Sequence, residues 1–171
     1  MSDQRRFNTW TRYEKKDTSW RVGLPDCSCA IRCIGWYNPD IAVWDGPKNV
    51  TFADTFHPGA VKELRSKVPN ASGAGQQCTY DELGRLITEK YGGGTEDRKI
   101  APGIRGAIAQ SVAEYGHIGH DVNPFKLGYR LDGDTHGSNI DEYLVVRRIN
   151  QGRGCAPNDG SANNNAGDNG G

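Results

Sequence analysis

Apolar positions recur at helical spacing through much of the chain. Phe7, Trp10 and Tyr13 fall every third residue, which on a helix makes one narrow stripe. They lie among Arg5, Arg6, Arg12, Lys15 and Lys16 and, with Trp20, form a basic, aromatic N-terminal arm over residues 1–20. Asp26 is a good N-cap and predicts a short helix over residues 27–37, ended by Pro39. The runs 41–44 and 49–52 flank Asp45-Gly46-Pro47 and predict a hairpin. Pro58 opens a helical pattern with Val61, Leu64 and Val68, stopped by Pro69. Thr79-Tyr80-Asp81-Glu82 has the capping-box form and predicts a helix bearing Leu83, Leu86 and Ile87, which ends at Gly92-Gly93-Gly94. Pro102 begins another, with Ile104, Ile108, Val112 and Tyr115 on one face. Residues 127–137 and 141–149 predict two antiparallel strands around a polar turn. Helices early in the core and strands late define an α+β class rather than a doubly wound parallel sheet.

Composition sharpens this picture. The chain has 171 residues with 21 basic and 21 acidic side chains, so bulk positive charge does not drive nucleic-acid binding. The first 23 residues carry six basic against three acidic side chains, a local excess of three. Residues 151–171 lack Val, Ile, Leu, Phe, Tyr and Trp and cannot bury enough apolar area to offset ordering, so a disordered tail is expected there. One globular α+β domain over residues 21–150 remains between arm and tail. No apolar run approaches membrane-spanning length and no secretory leader is evident, so the expected location is the cytoplasm or the interior of a virion.

Five cysteines, Cys27, Cys29, Cys33, Cys78 and Cys155, make an odd count, which with no leader argues against a disulfide framework. Cys27 would be the first residue after a helix cap, where exposed N–H groups and the helix dipole favour thiolate and can hold an oxyanion. Asp26 opposes this, so ionisation needs a paired imidazolium.

The segment Asp26-Cys27-Ser28-Cys29-Ala30, followed by the helical pattern of residues 79–116, resembles papain-like cysteine peptidases. The bacteriocin-processing group is nearest, and the cell-wall NlpC/P60 group is similar more loosely. The resemblance implies a Cys27 nucleophile, a His base and an Asp or Asn that orients it. Two pairs are open, His117 with Asp132 and His136 with Asn139, the first slightly preferred. Position 21, where the bacteriocin-processing group carries a Gln oxyanion donor, is Arg21. The reading is a small hydrolase of peptide or isopeptide bonds, acting on a peptide or protein substrate without a cofactor.

Other constellations compete. His117 and His120 with Cys27 and Cys29 or Cys33 would offer zinc a Cys₂His₂ set, at uncommon spacings. Asp132-Gly133-Asp134-Thr135-His136-Gly137 has half of a calcium loop, but position twelve is Tyr143 rather than Glu. Gly92–Gly94 lacks a P-loop lysine and reads as a linker. No metal is therefore expected. The alternative to a hydrolase is a non-catalytic phage or viral accessory protein in assembly or RNA packaging, whose arm contacts RNA or a capsid partner and whose tail stays mobile. No membrane partner is expected.

Overall fold

The computed structural model describes residues 1–31, 43–100, 116–152 and 155. Helix α1 (Asp3–Glu14) opens on Ser2, whose hydroxyl accepts from the Arg5 amide, with Asp3 in the first turn and Arg12 in the last, both favourable to the helix dipole. Its buried face is Phe7, Thr11 and Glu14, spaced four and three, rather than the every-third-residue stripe: Tyr13 is 68% exposed. Phe7 is 1% exposed, a burial that contributes about 1.5–3 kcal/mol. A single 3₁₀ turn (Ser19–Arg21) follows and buries Trp20.

Four antiparallel strands then pair in chain order: β1 (Trp44–Asn49), β2 (Lys62–Ser66), β3 (Gly75–Tyr80) and β4 (Glu96–Asp97), with the short helix α2 (Ala53–Phe56) between β1 and β2. Strand periodicity gives the β2–β3 ladder two characters. Leu64 pairs with Cys78 and, with Tyr80, Trp44, Leu86 and Cys27, forms one hydrophobic core. Glu63, Arg65 and Gln77 belong to the alternate set, and all three line a cavity. A π-helical turn (Ile118–Val122) leads into α3 (Asn123–Leu131) and α4 (Ser138–Val146). Helix α1 crosses both, and Phe7, Phe125, Ile140 and Tyr143 form a second core. Trp10 stacks on Tyr143 with ring centroids 5.6 Å apart.

The α+β class holds, while several elements differ from their sequence patterns. Residues 27–30 do not begin a helix, and residues 32–37 of the helix expected there, with Cys33, fall outside the described residues. Residues 29–31 lie alongside residues 84–86, with Ile31 N–H donating to Gly84 and Leu86 N–H to Cys29. The expected turn at 45–47 is inside β1, where the register shifts between Asp45 and Lys48. The helical pattern at 58–68 yields β2 instead, because Leu64 gains a sheet core while Val61 and Val68 stay exposed. The capping-box pattern at 79–82 is the end of β3 and a turn: the Asp81 carboxylate accepts from the Leu83 and Arg85 amides and closes the chain locally. The late strands expected at 127–137 and 141–149 are largely α3 and α4. Burial of Ile140, Tyr143 and Val146 at spacings of three overrides their β propensity. The Asp132 carboxylate accepts from the amides of Gly137, Asn139 and Ile140, capping α4 from the preceding loop. The helix expected over 102–115 and the tail beyond residue 155 fall outside the described residues.

The triple glycine is a packing requirement rather than a linker. A Cβ on Gly94 would lie 2.3 Å from the Gln77 carbonyl oxygen, and one on Gly93 would lie 2.2 Å from the Ile149 side chain. Gly94→Ala is expected to cost about 1–3 kcal/mol in urea unfolding, because the obstacle is the backbone of the central strand. An unchanged midpoint would contradict this packing.

Two disulfides staple the first core. Cys27–Cys78 joins the segment after the 3₁₀ turn to the central strand, with Cα atoms 5.8 Å apart. Cys29–Cys155 closes the chain across 126 residues, with Cα atoms 5.3 Å apart.

Candidate functional site

The cavity beside the sheet, of about 350 Å³, lies within the size range of small-molecule sites. Phe52, Phe56, Ile118, Phe125 and Leu144 supply apolar lining, while Glu63, Arg65, Gln77, Asp97, His117 and Asp121 supply polar lining. Phe52 is 73% exposed and has a left-handed backbone, φ 56°. A bulky residue seldom adopts that conformation, which costs about 1–2 kcal/mol.

The polar lining belongs to one chain of alternating charge that continues past the cavity to Arg147 and Glu14. Glu14 pairs with Arg147 at 3.0 Å, and Arg147 with Asp121 at 2.5 Å. Asp121 meets His117 Nδ1 at 3.2 Å, and Asp97 approaches the same nitrogen at 3.8 Å. Arg65 bridges Asp97 and Glu63. Strand β4 supplies Asp97 and β2 supplies Arg65 and Glu63. The π turn carries Asp121 four residues after His117, on the same side. α1 brings Glu14, and Arg147 follows α4.

Burial sets the titration of these groups. Desolvation pushes the Asp97 carboxyl up to about 6, with the Asp121 charge adding to it and His117 and Arg65 opposing it. Desolvation acts on Asp121 too, but the His117 hydrogen bond and the Arg147 charge outweigh it, and its pKa falls below the usual carboxylate range. Burial lowers the His117 imidazole, and the Asp97 and Asp121 carboxylates more than reverse that, so it titrates above an ordinary histidine.

His57, 8% exposed, is also in the cavity wall, its Nδ1 3.1 Å from the Gly93 carbonyl oxygen. Desolvation first, and the Arg65 charge second, push it down to about 4. An imidazole of the unfolded chain titrates near 6.5, so the unfolded state takes up this proton first. Its contribution is complete above about pH 6.5 and is lost as pH falls through about 4, a drop of about 3 kcal/mol. Urea unfolding of wild type and His57→Gln across that window should show the difference between the two falling by about this amount as pH drops, since Asp97 and His117 titrate in both proteins; a constant difference would refute this role.

The sequence-derived candidates are not assembled as a catalytic site. Cys27 Sγ is bonded to Cys78, so it is neither a thiolate at a helix start nor available as a nucleophile. His117 bonds to Asp121 and to the Lys99 carbonyl rather than to Asp132. Asp132 and Asn139 are bonded to each other in the cap of α4. His136 bonds through Nε2 to the Thr55 carbonyl and stacks on Tyr91 at 4.7 Å. The Cys₂His₂ zinc set fails because Cys27 and Cys29 are both in disulfides, and His120 Nδ1 lies 3.7 Å from Glu14. The calcium-loop pattern is likewise occupied, since Asp132 serves the helix cap. Of the groups that matter, Asp97, Asp121, Glu14, Arg65 and Arg147 escape local sequence reasoning. Only the i, i+4 relation of His117 and Asp121 is a readable signal.

A mixed α+β domain stapled by two disulfides across long chain separations belongs to the class that folds in oxidising compartments. The chain matches the AMOP domain family over residues 2–156 and belongs to that family, whose domains are extracellular, disulfide-rich and adhesion-associated. No curated protein and no solved structure matches it significantly.

This membership overturns the resemblance to papain-like peptidases and the peptide or isopeptide hydrolase built on it. It equally removes the viral accessory alternative and the cytoplasmic or virion location. Among the described residues no helix is long and apolar enough to cross a membrane.

Proposed function

We propose that the chain is a non-catalytic, extracellular adhesion-type module that recognises a partner through the cavity, with its apolar and charged lining, and the exposed Phe52 ring. The observation that carries this reading is Phe52: a large apolar ring held in an unfavourable backbone conformation, exposed at the mouth of an otherwise formed cavity. Such a ring is a low-entropy anchor of the kind that dominates recognition surfaces. The charged groups that line the cavity, Glu63, Arg65, Asp97 and Asp121, give a polar contact to whatever enters. Family membership supports the adhesive role and the oxidising location. Residues 2–156 act as one unit in this reading, with α1 as part of the body rather than a separate arm.

The test uses beads coated with the oxidised chain, applied to cell monolayers and to matrix laid down by those cells. Retention above albumin-coated beads is expected, reduced several-fold by Phe52→Asp while the melting temperature does not fall, since Asp tolerates the left-handed backbone better than Phe. Equal retention of wild type and variant, or retention no higher than albumin, would overturn the proposal.

A further inference from the structure

We infer that Asp97, His117 and Asp121 form a binding site for a divalent transition-metal ion of the zinc type, completed by the Lys99 carbonyl oxygen. One carboxylate oxygen of each aspartate, Asp97 Oδ2 and Asp121 Oδ2, lies beside His117 Nδ1, at 3.8 and 3.2 Å. The Lys99 carbonyl oxygen is 3.0 Å from the same nitrogen, and the three side-chain donors lie within 4.8 Å of one another. A tetrahedral ion with bonds of about 2.1 Å separates its donor atoms by about 3.4 Å, so small side-chain shifts close this set around one ion.

The second oxygens are spoken for. Asp121 Oδ1 accepts from the Arg98 amide and from Arg147 Nε, and Asp97 Oδ1 accepts from the Thr95 hydroxyl. Each carboxylate is thus oriented through one oxygen and turns the other to the imidazole, the arrangement by which outer hydrogen bonds fix metal ligands. The facing oxygens do have contacts of their own: Asp121 Oδ2 accepts from the Lys99 amide at 3.1 Å, and Arg65 Nη1 lies 3.4 Å from Asp97 Oδ2. Both leave lone pairs for an ion.

Charge favours a cation. The connected buried chain holds four carboxylates, Glu14, Glu63, Asp97 and Asp121, against two guanidiniums, Arg65 and Arg147. With a neutral imidazole that is a net charge of −2, which one divalent ion cancels. Nδ1 carries the proton that it donates to the Lys99 carbonyl oxygen. When an ion binds, that N–H bond breaks, the proton moves to Nε2 or, from the imidazolium, leaves to solvent, and the freed Nδ1 lone pair goes to the ion, with no oxidation involved. One imidazole with two carboxylates suits zinc better than calcium, which takes six to eight oxygens. The three side chains also line the cavity, which gives the ion a route in and room for a further ligand.

The inference is independent of the adhesive reading. Its test is calorimetric titration of the oxidised, chelator-treated chain with zinc chloride, against calcium chloride. We expect one zinc equivalent, with affinity at least about 100-fold lower in His117→Gln and in Asp97→Asn. Long-range ¹H–¹⁵N spectra of the wild type guard against variants that misfold: zinc should shift His117 Nδ1 and leave the His57 and His136 ring nitrogens in place. No zinc uptake, unchanged affinity in both folded variants, or unmoved His117 nitrogens at saturation would each overturn the inference.

Discussion

Arg147→Met should lower the unfolding free energy by about 3–5 kcal/mol, the range found when one partner of a buried ion pair is removed. The side chain is 0% exposed. Its three nitrogens donate to Asp121 Oδ1, Glu14 Oε2 and the His120 carbonyl oxygen, and its guanidinium lies 5.3 Å from the ring centres of both Trp10 and Trp20. Methionine fills much of the volume but leaves two buried carboxylates without their cation. Arg147→Lys should recover little, since an ammonium cannot span the three acceptors or lie flat between two indoles. Adding Glu14→Gln to Arg147→Met should restore part of the loss by removing one stranded charge. Urea unfolding of the four proteins checks this series. A loss below about 1 kcal/mol for Arg147→Met would mean that the ionic chain does not hold α1 and α4 to the sheet.

The second large effect is on the disulfides. Replacing Cys27 and Cys78 together by Ser should cost about 2–5 kcal/mol and lower the melting temperature by about 5–20 °C, because the unfolded chain regains the freedom of a loop 51 residues long. The same change at Cys29 and Cys155 releases a longer loop and should act at least as strongly in that entropic account. Melting curves with and without reductant provide the check. Coincident curves would show that the bonds do not constrain the fold.

Parts of this fold are legible from local chemistry. The spacing of Phe7, Trp10 and Tyr13 fits a helix in the arm, whereas the Ser2 cap and Asp3 charge that fix the start of α1 are local signals that the arm reading passes over. The sheet is harder, because β3 is buried along its whole length yet reads Gly-Gln-Gln-Cys-Thr-Tyr. Its polar groups are satisfied by distant partners: Gln77 donates to Glu63 and Thr79 to the Gly92 carbonyl. A buried strand of that composition looks like surface when its partners are unknown. In α4 the run Tyr143-Leu144-Val145-Val146 favours a strand by propensity, and it is the burial pattern, together with a cap from Asp132, that selects helix. The candidate site follows the same division. His117 and Asp121 are four residues apart, whereas Glu14, Arg65, Asp97 and Arg147 converge from four separate elements. The cysteines mislead for a related reason. Their close spacing at 27, 29 and 33 suggests local chemistry, yet the bonds formed reach across 51 and 126 residues.

Digestion of the alkylated, unreduced protein followed by mass spectrometry of linked peptides tests the central claim most directly. An extracellular, disulfide-stapled domain predicts a Cys27–Cys78 pair and a Cys29–Cys155 pair, with neither Cys27 nor Cys29 carrying the alkyl label. A Cys27 recovered unlinked and labelled in the protein purified from an oxidising compartment would contradict it.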